Sequence, residues 1–452
     1  MDKKILIIGL ARSGVAAARL ALSEGWQVTL SDMKSAEAFS GSDEYRKLKS
    51  MPVEVVLGSD GTDLLAGKDL LLISPGVPIT APVVAAAAKM GIPVTGELEF
   101  AALHSPYPYV AVTGTNGKTT TVTLMQEMIN ASGHQGVAAG NIGYPLSEAV
   151  MTPFDNGMLT VEVSSFQLET TKAFHPRAAA VLNITEDHLN RHGTMAVYTA
   201  LKAHVFDAMD AEDVAVLNYE DEACRRIGEG LGLRIIWFSS SRQLSEGVCL
   251  DDQGCIVYRY RGEETAIIPK DELLIPGTHN VENAMAAAAM AMGIGLDTGA
   301  VRSVLRSFKG VEHRIEKVTT KAGITYYNDS KGTNVDSTLK AIEAMKAPTV
   351  IILGGYDKHV SFDALARGIK DTPAIRYCVV MGQTAGQISA ALEAAGGISY
   401  VRAEGFTQAV DRGRALAGEG WNVLLSPACA SFDMFNDYEE RGRVFKKYVL
   451  SL

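Results

Sequence analysis

The stretch YVAVTGTNGKTTTVTL, residues 109–124, ends an apolar run in a short loop with Gly114 and Gly117, then sets Lys118 and Thr119 side by side. These residue types suit a polyphosphate. Backbone N–H groups of a glycine loop, and of the helix it opens, point at phosphate oxygens. Lys118 adds positive charge for the β and γ phosphates, and Thr119 offers a hydroxyl to Mg2+. Thr115, Asn116 and Thr120 complete the loop. The strict G-x-x-x-x-G-K-[ST] spacing is not met, because Val112 stands in its first glycine position and Gly114 makes a shorter loop. A strand pattern before and a helix pattern after supply the required context, so triphosphate binding with Mg2+ is expected.

Other residues could complete such a site. Glu162 ends the run LTVEV, where a second metal-holding carboxylate would sit; an ordinary acid at a strand edge is the alternative. His188, in TEDHLNRH, could ligate Mg2+ or touch substrate; a packing or capping histidine is the alternative. Lys202, in YTALKAHVF, is by composition a solvated lysine. Asn280 and Asn283 share one helix face and can pair with an adenine edge, with helix capping as the default. A second glycine turn, GLARSG at 9–14, follows an apolar run, and Asp32 ends the next one. Ala11 replaces the middle glycine that lets backbone approach a pyrophosphate, which argues against NAD or FAD. A nucleotide-like ligand at the helix N-terminus and a purely structural turn both remain open.

Positioning these residues requires strands ending in polar loops. Alternating strand and helix patterns predict an α/β protein with mostly parallel sheets and three domains: 1–98, 99–311 and 312–452. The first is Rossmann-like, the second a P-loop ATPase-like sheet domain, the third Rossmann-like again. Polar and glycine clusters follow the predicted strands (LISPG, VTGTNGK, EVSSF, NITEDH, NDSKGT, GGYDK, SPACAS), where open parallel sheets bind ligands. The stretch 234–276 reads as β-rich. The chain of 452 residues is 47% hydrophobic and carries a net charge of −10, which argues against general nucleic-acid or membrane-surface binding. Five cysteines without a CxxC pair suit a reducing cytoplasm. Cys429 has no nameable histidine partner and reads as a small buried thiol. Arg12 and Arg19 interrupt the apolar N-terminus, so it reads as a first strand and helix, not a signal peptide. The run 284–296 is too short to span a bilayer and Ala-rich enough for a packed helix.

The motifs GTNGKTTT, GNIG (140–143), VEVSSFQLE, NITEDHLNRH, HNVENA, EHRIE (312–316), NDSKGTN and LLSPACASFDMFNDYEERG occur in an order that resembles the Mur ligase family, on its D-glutamate-adding branch, over nearly the whole chain. The resemblance implies an ATP-dependent, ADP-forming amide ligase, in cytoplasmic peptidoglycan precursor synthesis, acting on UDP-N-acetylmuramoyl-L-alanine and D-glutamate. Lys118 and Thr119 then serve the phosphates and Mg2+, with Glu162 and His188 at the metal. Lys202 matches a lysine carried as a carbamate, which converts a cation into an anionic ligand. Asn280 and Asn283 match adenine contacts, Arg314 a phosphate contact and Asp329 a ribose contact. Ser13, Asp32, Lys34 and Ser74 match the uridine diphosphate site, and Asn141 a position near the muramoyl group. Lys331, Thr333, Lys358, Ser431 and Tyr438 match the D-glutamate site. A monomer is expected. Two rivals stand: another Mur or folylpolyglutamate-type ligase with a different amino acid, and a regulatory ATP-binding protein without ligase activity. A folylpolyglutamate synthase lacks a UDP-binding first domain, and the combination of Lys118, Glu162, His188 and Lys202 argues for catalysis.

Overall fold

A computed structural model describes residues 3–39, 42–142, 144–358 and 360–452; Gly143 of the GNIG motif lies outside them. Apolar runs buried on both faces become parallel strands, because only internal pairing satisfies their backbone once helices cover them. The first sheet holds β1 (Lys4–Ile8), β2 (Gln27–Asp32), β3 (Val53–Leu57), β4 (Leu70–Ile73) and β5 (Val94–Gly96), in the order β3-β2-β1-β4-β5. Every pairing in it is parallel. The order reverses between β1 and β4, so the carboxyl ends of these two strands border the crevice where such sheets take ligands.

The second sheet contains β6 (Tyr109–Thr113), β7 (Ala138–Gly140), β8 (Leu159–Glu162), β9 (Ala178–Val181), β10 (Val214–Asn218), β11 (Arg234–Ser239), β12 (Gly247–Leu250), β13 (Cys255–Tyr260) and β14 (Glu263–Pro269). Its order is β14-β13-β12-β11-β10-β9-β6-β8-β7. β6 lies between β8 and β9, parallel to both, so the glycine loop emerges between the ends of its two neighbours. The β-rich stretch 234–276 forms its far edge, where β12, β13 and β14 pair antiparallel.

The third sheet runs β15 (Glu316–Lys321), β16 (Ile324–Asn328), β20 (Asn422–Leu425), β17 (Thr349–Leu353), β18 (Ile375–Val380) and β19 (Tyr400–Arg402) in spatial order. Only β15 pairs antiparallel. By internal packing the chain forms two compact units, Met1–Glu272 with Glu282–Arg306, and Leu273–Val281 with Ser307–Leu452. The alanine-rich run forms helix Thr278–Gly293, where Ala284 to Ala291 are all fully buried; small residues let it pack on every side. No helix among the described residues is long and apolar enough to cross a membrane.

Candidate active site

The glycine loop is held from beneath by the segment after β9. Thr115 N–H donates to the Asn183 carbonyl at 2.9 Å, Asn116 N–H to Asn183 Oδ1 at 2.9 Å, and Asn183 Nδ2 back to the Asn116 carbonyl at 3.1 Å. Thr115 Oγ1 bonds the Thr185 carbonyl and the Tyr198 hydroxyl. Gly117 precedes helix Lys118–Ala131 with φ +88° and supplies no capping side chain. A β-carbon on it would lie 2.2 Å from Asn283 Oδ1. Side-chain-free backbone at a helix N-terminus, flanked by lysine, fits a polyphosphate. Lys118 Nζ donates to the Gly114 and Thr115 carbonyls, both at 2.8 Å.

Three of the expected metal-side and substrate residues meet directly. Thr119 Oγ1 donates to Glu162 Oε2 at 2.7 Å, and Asn141 Nδ2 donates to Glu162 Oε1 at 2.9 Å. Glu162 is buried at the carboxyl end of β8, so its charge is anchored by both donors. Thr120 is buried in the first helical turn. Lys202, solvated by composition, is buried to 1% exposure. Its Nζ donates to the Gly114 carbonyl at 2.9 Å and lies 4.6 Å from the centre of the Tyr198 ring. Burial first, and the nearby Lys118 charge second, hold its amine well below the usual lysine range. His188 is exposed, with left-handed backbone at φ +53°. Its ring packs 4.8 Å from Phe166, and its Nε2 lies 3.5 Å from Asp187 Oδ2. Thr119 and Glu162 are thus brought together at the end of β8 and Lys202 lies beneath the glycine loop, while the contacts of His188 are with Asp187 and Phe166.

At the first sheet, Asp32 organises the turn. Its Oδ2 accepts from Leu10 N–H at 2.8 Å and its Oδ1 from Lys34 N–H at 2.9 Å. Ser74 Oγ donates to the Gly9 carbonyl at 3.3 Å, joining the ends of β1 and β4. A β-carbon at Gly14 would lie 1.9 Å from that carbonyl oxygen, so only glycine lets the helix start this close to the strand. Ser13 lies half-buried in the first turn of helix Arg12–Ser23, and the Lys34 side chain is exposed.

The C-terminal unit gathers most of its expected residues around β16 and β20. Asp329 is buried; its Oδ2 accepts from Ser426 Oγ at 2.6 Å and its Oδ1 from Ile315 N–H at 3.2 Å. Burial pushes its carboxyl up to about 6 against the pull of Ser426 and Arg314. Lys331 holds its Nζ 5.3 Å from the centre of the Tyr438 ring, and Thr333 N–H donates to the Lys331 carbonyl. Ser431 is buried, its carbonyl accepting from Met434 and Phe435 N–H groups. Lys358 is exposed beyond β17. Asn280, also buried, donates from Nδ2 to the Pro276 carbonyl at 2.7 Å. Cys429 is buried, and burial pushes its thiol up to about 11.

Sequence reasoning did not single out Arg441, Arg191 or Tyr198. Arg441 is fully buried and donates to the Ser330 hydroxyl and carbonyl and to the Cys429 and Ala430 carbonyls. It thereby holds the residues next to Lys331 and Ser431. The only sequence signal for Arg441 and Arg191 was their place inside the quoted stretches YEERG and HLNRH.

Three family models match in chain order: the Mur ligase MurD-like N-terminal domain over 3–96, the Mur ligase middle domain over 112–291 and the Mur ligase glutamate ligase domain over 313–429. A UDP-N-acetylmuramoylalanine–D-glutamate ligase from Pelotomaculum thermopropionicum is 45% identical over 450 residues, covering 100% of this chain and 98% of its own. One from Lachnoclostridium phytofermentans is 40% identical over 459 residues, covering 100% and 99%. A solved pseudomurein peptide ligase type C from Methanothermus fervidus shares the fold, with a TM-score of 0.62 at 18% identity and 100% coverage of both chains. With all three domains matched and relatives of the same length above a third identity, the chain belongs to the Mur ligase family.

Proposed function

We propose that this chain joins D-glutamate to UDP-N-acetylmuramoyl-L-alanine with cleavage of ATP to ADP and phosphate, in peptidoglycan precursor synthesis. The full-length match to D-glutamate ligases supports the substrates. The single observation that carries the chemistry is the uncapped helix N-terminus at Gly117 with Lys118 beside it and the Thr119–Glu162 pair behind.

A carboxylate is a poor electrophile with a poor leaving group. Transfer of the ATP γ-phosphoryl to it releases ADP and gives an acyl phosphate. The D-glutamate nitrogen then attacks the acyl carbon, the C–N bond forms, the C–O bond to phosphate breaks, and the amine loses a proton. Positioning and charge neutralisation supply most of the catalysis. The loop Gly114–Thr120 cradles the phosphates, and Lys118 leaves its two carbonyls to meet their negative charge. Thr119, Glu162, His188 and Lys202 would hold Mg2+, which neutralises phosphate charge when bound. Asn283 lies against Gly117 and, with Asn280, is assigned to the adenine; Arg314 and Asp329 are assigned to the remainder of ATP. Ser13, Asp32, Lys34 and Ser74 take the uridine diphosphate and Asn141 the muramoyl end. Lys331, Thr333, Lys358, Ser431 and Tyr438 fix the D-glutamate carboxylates.

Lys202 acts here as a carbamate. Its depressed basicity raises the share of neutral amine, the nucleophilic form; the N–C bond to CO2 forms with loss of one proton. We further place the domain boundaries at 98/99 and 311/312, the active form as a monomer, and the reaction in the cytoplasm, the last supported by five unpaired cysteines. Phosphate release requiring both UDP-N-acetylmuramoyl-L-alanine and D-glutamate, with the coupled product seen by mass, is the test. Release with another amino acid in place of D-glutamate would assign the chain to a sibling activity, and ATP binding without release would leave a regulatory protein.

A further inference from the structure

Arg191 occupies a position that the phosphate chemistry does not explain. Its Nε donates to Glu169 Oε1 at 3.0 Å and its Nη2 to Glu169 Oε2 at 2.5 Å, a bidentate pair. The other faces of the same fork reach the first sheet: Nη1 donates to the Pro75 carbonyl at 3.1 Å and Nη2 to the Val77 carbonyl at 3.3 Å. Pro75 and Val77 follow Ser74, the residue that bonds Gly9 at the β1/β4 crevice. The guanidinium carbon also lies 4.3 Å from the centre of the Phe166 ring, and the His188 ring lies 4.8 Å from that same ring. Glu169 extends the set to His192, whose Nε2 bonds Ser165 Oγ at 2.9 Å and whose ring stacks on Tyr198. Tyr198 in turn touches Thr115 of the glycine loop.

We propose that Arg191 is a positioning residue that fixes the loop 74–77 against the segment 185–192, setting the distance between the nucleotide end and the reacting end of the UDP-linked substrate. This rests on the functional reading above. One guanidinium satisfies a carboxylate and two carbonyls while sitting over an aromatic ring. A lysine ammonium keeps the charge but has neither the fork nor the plane. Arg191→Lys therefore separates geometry from charge, and Glu169→Gln removes the partner while leaving the arginine.

The experiment has two arms. In steady-state kinetics, Arg191→Lys and Glu169→Gln are expected to raise KM for the UDP-linked substrate by at least about tenfold, with KM for ATP and D-glutamate within about threefold of wild type. Equal rises in all three constants, or none, overturn the positioning role. In hydrogen exchange on the ligand-free protein, the Val77 amide, bonded to the Ser74 carbonyl, is expected to exchange faster in Arg191→Lys, with β2 and β3 amides unchanged. Unchanged exchange at Val77, or acceleration throughout the first sheet, overturns it as well. The exchange arm needs no substrate. If wild type fails to turn over the UDP-linked substrate, the functional reading fails and the loop-fixing role is still decided.

Discussion

Lys118 and Lys202 donate to one acceptor, the Gly114 carbonyl oxygen, at 2.8 and 2.9 Å. Lys202 is the more deeply buried of the two, and burial first, with the Lys118 charge second, lowers its basicity. On the proposed function the pair would divide the work, with Lys118 serving phosphate and Lys202, its basicity lowered, taking up CO2.

Lys202→Ala should reduce kcat by at least about 10²-fold, the scale of losing one preorganised charged group, and formate or acetate should restore part of the rate. Lys202→Met should be equally inactive yet fold normally. The folded-state pKa lies below the unfolded one, so between the folded value and 10.5 the unfolded chain binds more protons. The free amine thus costs stability at neutral pH, and methionine removes that cost while filling the space. Melting temperatures at pH 7 check this, with Lys202→Met at or above bicarbonate-free wild type. Protonation also competes with carbamate formation, so activity at limiting bicarbonate should fall as pH is lowered. A clearly lower melting temperature for the methionine variant would contradict the account.

Gly117→Ala tests the loop. The substitution pays for a left-handed backbone, about 1–2 kcal/mol, and drives its methyl into Asn283 Oδ1. Gly25→Ala pays the same backbone cost at φ +79° with nothing within 4 Å. Both should destabilise modestly. Only Gly117→Ala should raise KM for ATP, by about tenfold or more, because it alone displaces the helix N-terminus and Asn283. Equal ATP constants in the two variants would separate this loop from the nucleotide.

The parts of the site visible in the sequence are those fixed by local chemistry. A glycine needed at φ +88° and a lysine in the first helical turn follow from neighbours in the chain, and the long apolar runs became strands at the expected places. β7, three small residues, and β15, a polar edge strand reading EKVTTK, carried no apolar run to announce them. Lys202 sits on helix Met195–Ala203 with no local sign of which face turns inward; burial there is decided by Tyr198 and the glycine loop. Arg441 and Arg191 were silent for the same reason. Four of the five bonds of Arg441 and two of the four of Arg191 go to backbone carbonyls, which any residue offers, and for the Ser330 and Pro75 bonds the acceptors lie 111 and 116 positions away.

Asp329 gives a pH signature. Its carboxyl titrates near 6 in the folded state against an ordinary value of 3.8. Between those values the folded protein keeps a proton the unfolded chain has lost. Stability contributed by this group is therefore full at low pH and lost as pH rises through the window, amounting to about 3 kcal/mol above it. Asp329→Asn has no such titration. Urea unfolding at pH 4, 5, 6 and 7 should show wild type losing stability relative to the variant as pH rises, by about 2–3 kcal/mol in total. Parallel pH profiles would mean that the Ser426 and Ile315 bonds offset burial more fully than the geometry implies.

Amino-acid choice is the last expectation. D-Glutamate presents two carboxylates and must keep its amine neutral and unhindered, so its site needs fixed cationic and hydroxyl donors. Lys331 follows Ser330, and Ser431 follows Ala430; Arg441 grips both preceding residues from a fully buried position. The two donors are therefore set by one rigid support. The Ser431 backbone is further locked by the Met434 and Phe435 amides, so alanine there changes the hydroxyl and little else. A hydrogen bond to a charged group contributes about 1.5–3 kcal/mol, equivalent to roughly 10- to 150-fold in KM. Ser431→Ala should raise KM for D-glutamate within that range while KM for ATP and for the UDP-linked substrate stay within about threefold of wild type. A matched rise in all three would make the serine a structural element of the loop, and an unchanged D-glutamate constant would remove it from the amino-acid site.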